Sequence, residues 1–212
     1  MGETMDDMEK LRTGTTTLGL VCQEGVVLAS DKRATMGYLI SSKTALKVAR
    51  LDDHIGMTIA GGVGDAQKLI RWMTGELEIH RMQENKPMKI SAAATLLSNV
   101  LSNYKFYPFF VQLVLGGYDS KPRLFNLDMA GGITEDKYTA TGSGSTFVYG
   151  ILESEFDENM SMKDCLHLAA KCIVAASKRD IASGNGITIA TITKNGFNYL
   201  TESDIEKLGK SV

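Results

Sequence analysis

The sequence predicts a layered domain of α and β structure, with sheets inside and helices outside. Two observations predict it. The elements read in the order β-block, two helices, β-block, helix, β-block. Several of the strand segments are apolar almost throughout, the pattern of strands buried on both faces. At 212 residues the chain suits one sizeable domain with a well-buried core, and no repeat, low-complexity tract or interdomain linker interrupts it.

Residues 16–23 read as a strand, Glu24-Gly25 as a turn, and residues 26–30 (VVLAS) as the returning strand. A second β-rich stretch covers 43–50 and 54–60, closed by Gly61-Gly62. A helix follows over 65–83, where Leu69, Trp72 or Met73, Leu77 and His80 recur at helical spacing. Lys86-Pro87 separates it from a second helix over 91–104, which Ser91 can cap. Strands return at 110–116 and 123–128, and 137–140 leads into the run TGSGS. Ser161 and Asp164 form a capping pair for a helix over 161–178, whose apolar face carries Met162, Leu166, Ala169 or Ala170, and Ile173. Strands at 187–193 and 197–200 and a short amphipathic end at 203–208 complete the chain.

Composition excludes several classes of function. A formal net charge of −2 leaves no nucleic-acid footprint and no polybasic membrane patch. No apolar run approaches the roughly 18–20 residues that span a bilayer. The leader MGETMDDMEKLRTG is polar and acidic, with no apolar core, so it is not a secretory signal. Asp6 stands where a myristoylation signal needs Ser or Thr. A disordered tail or a removable pro-segment remains. Cys22, Cys165 and Cys172 are odd in number and form no CxxC pair, which points to a reducing compartment. Cys165 and Cys172 share a helix face and read as core. His54, His80 and His167 are scattered, so no zinc site is expected.

The chemistry centres on Gly14-Thr15-Thr16-Thr17-Leu18-Gly19. Three β-branched threonines by themselves favour a strand. The preceding tail ends in glycine, however, which leaves the carbonyl before Thr15 unhindered. Cleavage there frees an α-amine on a residue that also carries a hydroxyl. Such an amine titrates near about 7.7–8.0, so it can take the hydroxyl's proton at neutral pH. Few other arrangements build nucleophile and base on one residue. Elsewhere the residues alone permit plainer readings. The run at 61–64 (GGVG) lacks the Gly-Lys-Ser/Thr of a phosphate loop. Residues 142–145 can be a flexible turn. Lys47 shares a strand face with Ala45 and Ala49 and can be solvated. Asp31, Lys32 and Arg33 can form a strand-end salt bridge.

Five blocks taken together change this balance: TTTLG after glycine, ASDKRATMG at 29–37, TIAGGVGDAQ at 58–67, TGSGS at 141–145 and KRDIASG at 178–184. In this order they resemble an archaeal-type proteasome β subunit, a member of the N-terminal threonine hydrolases, from Gly14 onward. The short tail in place of a gate and helix points to the β rather than the α type. The resemblance implies an α+β fold, the four-layer αββα sandwich of N-terminal nucleophile hydrolases. It implies that residues 1–14 are a propeptide removed autocatalytically and that 15–212 are one catalytic domain.

The resemblance also implies a threonine endopeptidase without metal or organic cofactor. Thr15 is then nucleophile and, once Gly14 is cut away, base. Lys47 matches the active-site lysine, held by Asp31. The main-chain N–H of Gly61 faces the oxyanion. Ser143 reaches the amine, and Asp180 and Ser183 complete its hydrogen-bond network. For Asp180 a mere helix-end charge is disfavoured by the dipole, whereas Arg33 is left as a strand-end salt bridge. The substrate pocket maps onto Ala34, Ala45, Ala49, Ile59 and Val63, small or apolar residues that suit an apolar P1 side chain. The base for self-cleavage stays open between Lys47 and a water. Implied partners are proteasome α subunits and further β subunits in heptameric rings (α7β7β7α7), an ATPase unfoldase or other activator, and unfolded polypeptides, in the cytoplasm, with no nucleic acid or membrane.

Two departures from the family pattern stand out: Thr146 where many relatives have proline, and NGIT at 185–188. The competing readings are a bacterial-type two-ring threonine protease, another N-terminal-nucleophile hydrolase such as an amidase, and an inactive ring subunit. Thr15, Asp31 and Lys47 together argue against the last.

Overall fold

Thr17–Cys22 (β1) and Gly25–Asp31 (β2) form a tight hairpin in which Thr17 faces Ser30 and Cys22 faces Gly25. In the computed structural model, which describes residues 14–209, this hairpin sits at the centre of the first of two five-stranded sheets. Tyr138–Thr141 (β10) flanks β1, while Ile187–Thr193 (β11) and then Gly196–Tyr199 (β12) flank β2. The second sheet runs Val48–Asp52 (β5), Ile55–Gly61 (β6), Val111–Tyr118 (β7), Pro122–Leu127 (β8) and Ile133–Glu135 (β9). Every pairing in both sheets is antiparallel.

Alternation along the strands builds the layers. Leu18, Leu20, Val27 and Ala29 face outward from the first sheet. They pack under the helices Ser145–Glu155 (α3) and Met162–Ser177 (α4) with Val148, Leu168, Cys172 and Ile173. Met57, Ile59, Leu113 and Leu115 face outward from the second sheet. They pack under Val63–Glu84 (α1) and Ile90–Asn103 (α2) with Leu69, Met73, Leu77 and Leu97. Val26, Leu28, Val114, Leu124, Ile192 and Phe197 fill the space between the sheets. The order helix, sheet, sheet, helix is the layering that the sequence predicts, in the four-layer αββα form that the resemblance implies.

Local capping bears out one expectation and corrects another. Ser161 caps α4: its Oγ accepts from Asp164 N–H at 3.2 Å and donates to Asp164 Oδ2 at 2.6 Å. Ser91 caps nothing, because α2 begins one residue earlier and the Ile90 N–H is taken by Asp119 Oδ2 at 3.1 Å.

Three elements depart from the sequence pattern. Residues 43–47 are not a strand. Instead Ala34–Met36 (β3) and Leu39–Ser42 (β4) form a separate ribbon whose side chains are largely exposed. Helix α3 follows a glycine N-cap and fully buries just Val148 and Leu152, with Tyr149 and Ile151 packed at the edge of the core, too short an apolar pattern to read. Strand β9 is exposed along its whole length. The chain ends in the helix Glu202–Gly209 (α5). Among the described residues no helix is long and apolar enough to cross a membrane. Residues 1–13 of the expected propeptide lie outside the described residues.

Candidate active site

The β1–β2 hairpin decides what meets Thr15. Thr15 lies just before β1 and Asp31 ends β2, so the hairpin register brings the two together. The Asp31 N–H donates to the Thr16 carbonyl at 3.1 Å. The Asp31 carboxylate is fully buried and surrounded by donors. Its Oδ1 accepts from Thr16 N–H (3.0 Å), from the Thr15 hydroxyl (3.0 Å) and from Lys47 Nζ (2.6 Å). Its Oδ2 accepts from the N–H groups of Arg33 and Gly184, each at 2.9 Å. Both oxygens of this buried carboxylate are thus met by donors.

Lys47 stands one residue before β5, held there by its carbonyl, which accepts from Ile59 N–H at 3.0 Å. Its ammonium touches both Asp31 Oδ1 and Thr15 Oγ1. The side chain is only 10% exposed. Burial pushes its pKa below the ordinary lysine value, and the charge of Asp31 opposes that shift in part.

A second network holds the other side of Thr15. Gly142, in the left-handed region at φ 88°, turns the chain out of β10 so that Ser143 meets Thr15. The Thr15 N–H donates to Ser143 Oγ at 3.1 Å. Ser143 Oγ in turn donates to Asp180 Oδ2 at 2.7 Å, and Ser183 Oγ donates to the same oxygen at 2.5 Å. Thr16 joins this network, its hydroxyl lying 2.6 Å from Ser183 Oγ. Asp180 and Ser183 sit in the loop just after α4.

The bond between Gly14 and Thr15 is present here, so the Thr15 nitrogen is an amide and not a base. The basic group that meets Oγ1 is Lys47. Gly14 has no room for a side chain: a Cβ there would stand 1.9 Å from the Ala182 Cβ. Gly61, at the end of β6, has φ 123°, and a Cβ would stand 2.2 Å from the Phe110 carbonyl oxygen. Gly14, Thr15, Lys47 and Gly61 all border one cavity of about 620 Å³. Ala34, Ala45, Ile59 and Val63 line it, together with Ala66 and Ile70 of α1. A second cavity, about 400 Å³, opens beyond Gly14 and Gly61, against Phe110, Gln112, Met129 and Ser143.

The structure thus gathers Thr15, Asp31, Lys47, Gly61, Ser143, Asp180 and Ser183, and four of the five expected pocket residues. Ala49 is the exception. Regular strand begins only at Val48, so the alternation does not run back evenly to Ala45. Ala49 packs against the core cluster under α1 instead.

Arg33 also needs correction. It makes no salt bridge with the Asp31 carboxylate. Its guanidinium donates from Nε to Asn185 Oδ1 at 2.8 Å and from Nη1 to the Ile181 carbonyl at 2.7 Å. It therefore clamps the loop that carries Ser183. Asn185 takes a left-handed φ of 62°, a conformation that asparagine tolerates. Lys32 turns away to Glu202 at 3.3 Å. Thr146 occupies the first turn of α3, where proline is equally accommodated, so that departure leaves the backbone unchanged. Thr16 and Arg33 were not legible as site residues. Their partners lie far along the chain, and their own types read as strand former and surface charge. Among the described residues no group of three or more His, Cys, Asp or Glu side chains gathers as a metal site.

A family model described as "Proteasome subunit" matches residues 11–192. A protein named proteasome subunit beta from Picrophilus torridus is 52% identical over 199 residues, covering 93% of this chain and 95% of its own length. Proteasome subunit beta 2 of Pyrococcus furiosus is 47% identical over 202 residues, covering 95% of this chain and 98% of itself. Proteasome subunit beta of Methanosarcina thermophila is 48% identical over 202 residues, covering 94% and 96% respectively.

Proposed function

The chain belongs to the proteasome subunit family, and we propose that it is a β-type peptidase subunit of the 20S core whose nucleophile is Thr15. One observation carries the assignment of the nucleophile: Thr15 Oγ1 is in contact with both Lys47 Nζ and Asp31 Oδ1, while Thr15 N is held by Ser143. A threonine hydroxyl with a buried lysine on one side and a serine–aspartate network on its own nitrogen is placed for the two halves of one chemistry.

In the precursor, Oγ1 attacks the Gly14 carbonyl and passes its proton to the basic nitrogen against it. In its uncharged form, which burial makes more accessible, Lys47 is positioned to receive that proton and so becomes the cation. The C–N bond breaks as the amide nitrogen takes a proton, leaving Gly14 as an ester on Oγ1. Water then hydrolyses the ester. The freed Thr15 amine inherits the hydrogen bond to Ser143, and Asp180 and Ser183 orient it as general base. In each later turnover the amine takes the Oγ1 proton, the scissile carbonyl becomes an acyl ester on Thr15, and water releases it. The Lys47 cation disfavours protonation of the amine and favours the developing alkoxide. The Gly61 N–H faces the tetrahedral oxyanion, a contribution whose loss elsewhere costs about 100–1,000-fold in rate. Residues 1–14 are then the propeptide and 15–212 the working domain.

The wall of Ala34, Ala45, Ile59 and Val63 offers an apolar P1 side chain a place and a basic one no counter-charge. Among fluorogenic peptides, those with apolar P1 residues should be cleaved fastest; dominant cleavage after Arg or Lys would refute this pocket assignment.

Membership of the family implies assembly with other proteasome subunits. We place this chain in seven-membered β rings between α rings (α7β7β7α7), fed unfolded polypeptide by an ATPase. Exposed Met36, Tyr38, Leu46, Phe106 and Tyr107 supply apolar surface of the kind that assembly covers. Three free, buried cysteines suit the cytoplasm.

Thr15→Ala tests the core of the proposal. Co-assembled with its α partner, the variant should retain residues 1–14 by intact mass, lose peptidase activity and escape a threonine-directed covalent inhibitor. A variant that still trims itself after Gly14 sinks self-cleavage by Thr15.

A further inference from the structure

Three buried hydroxyls meet between the sheets, away from the atoms that react. Thr17 Oγ1 lies 2.8 Å from Thr58 Oγ1 and 2.7 Å from Thr141 Oγ1. All three side chains are buried. Each belongs to a strand that delivers a different part of the site. Thr17 is on β1, two residues after Thr15. Thr58 is on β6, three residues before Gly61. Thr141 is on β10, two residues before Ser143.

We infer that Thr17 is a positioning residue: its hydroxyl locks the nucleophile strand in register with the strands carrying Gly61 and Ser143. Elsewhere the sheets meet through an apolar cluster, through Tyr199 Oη, which donates to the Val48 carbonyl at 2.9 Å, and through Asp31–Lys47, and none of these joins β1 to β6. Apolar burial is non-directional, so it holds two sheets together without fixing how one slides on the other. A hydrogen bond does fix direction and distance. Thr17 is the centre of the joint. Both bonds run through its one hydroxyl, so both fail if that hydroxyl is removed.

Backbone pairing already ties β1 to β10, where Thr17 faces Thr141 and the hydroxyl bond adds to it. It cannot tie β1 to β6, which lies in the other sheet, and there the Thr17–Thr58 bond supplies the register. The molecule also contains its own control. Ser30 faces Thr17 on β2 and is equally buried, yet its hydroxyl has no hydrogen-bond partner. A buried hydroxyl at this level of the sheet is therefore not enough to make the joint.

The inference rests on the reading of Thr15 as nucleophile, and the experiment separates the two. Wild type, Thr15→Ala, Thr17→Val, Thr17→Ser, Thr58→Val and Ser30→Ala are each co-assembled with the α partner. They are compared on an apolar-P1 peptide, with active sites counted by covalent titration. Thr17→Val keeps the shape of the side chain and should lower kcat by ~10–100-fold, the scale of a sub-ångström to ångström misplacement of reacting groups, with KM nearly unchanged. Thr17→Ser restores the hydroxyl and should recover most of kcat. Ser30→Ala should leave kcat as in wild type. Thr58→Val breaks the joint from the other sheet with β1 intact, and reads the same quantity if Thr17→Val does not assemble. Wild-type kcat in Thr17→Val or Thr58→Val overturns the inference, as does an equal loss in Ser30→Ala. If wild type shows no activity that Thr15→Ala removes, the nucleophile assignment falls, and this inference falls with it.

Discussion

The space between the two sheets has two unlike ends. At one, Val26, Leu28, Val114, Leu124, Ile192 and Phe197 interlock with no polar side chain among them. At the other, where β1 begins and β2 finishes, Thr15, Thr16, Thr17, Asp31, Lys47 and Thr58 are all buried and hydrogen-bonded. Burying an apolar group stabilises by its area alone, whereas each buried polar group must find a partner to break even. The apolar end therefore carries stability. The polar end spends its hydrogen bonds on geometry, and the charged pair Asp31–Lys47 gains little for the fold beyond its own desolvation. Stability and function should accordingly respond to different substitutions.

The sharpest break of that comparison is at Lys47. Lys47→Met should lower peptide hydrolysis by about 100–1,000-fold, the scale for removing a preorganised charge beside the reacting oxygen, as measured by kcat per assembled subunit. Leu28→Ala, at the apolar end, should do the reverse. Its unfolding free energy should fall by ~2–5 kcal/mol in denaturant titration, with kcat per titrated active site unchanged within about twofold. A Leu28→Ala enzyme that loses kcat while keeping its stability would show that the two ends are not separable.

A smaller effect follows from the protonation of Lys47. Burial lowers its folded pKa below the ordinary 10.5. As pH rises through that lowered value the folded lysine loses its proton while the unfolded one still holds it. Within this window the unfolded state binds more protons, so unfolding free energy rises with pH. Catalysis that depends on the cation falls over the same window. Activity and denaturant midpoint should therefore move in opposite directions on the alkaline side, and Lys47→Met should lack this contribution to the stability slope. A parallel decline of both in wild type, identical in the variant, would remove Lys47 from the account.

The smallest expected effect is at the loop that Arg33 clamps. Asn185→Gly relieves the left-handed φ but frees Arg33 Nε, and should change kcat by less than about threefold. Asn185→Ala loses the bond and keeps the strain, at a cost of order 1 kcal/mol, readable as a lower melting temperature.

What could be read from the sequence divides along the same line as the molecule. The apolar runs of β2, β6 and β11 and the periodic faces of α1 and α4 announce themselves, because burial writes a repeating pattern. The ribbon of β3 and β4 and the short β9 are exposed and leave no such trace. In the site, Thr15 was legible from a hydroxyl that cleavage joins to an amine, whereas Asp31 and Lys47 were legible only through the family resemblance that five short motifs carry together. The hydroxyl joint of Thr17, Thr58 and Thr141 was not. Threonine reads as a strand former, and only the stacking of two sheets brings residues of such separation together. Arg33 was misread for the same reason, since its partners come from the far end of the chain.

Gly14 bears on how this enzyme can be produced. The Ala182 methyl occupies the place where any side chain at position 14 would begin. A gene engineered to start with methionine directly ahead of Thr15 puts such a side chain there. On the proposed reading of Thr15 as an N-terminal nucleophile, removal of that methionine falls to an aminopeptidase of the host, and the share of working sites should follow the expression strain rather than the subunit.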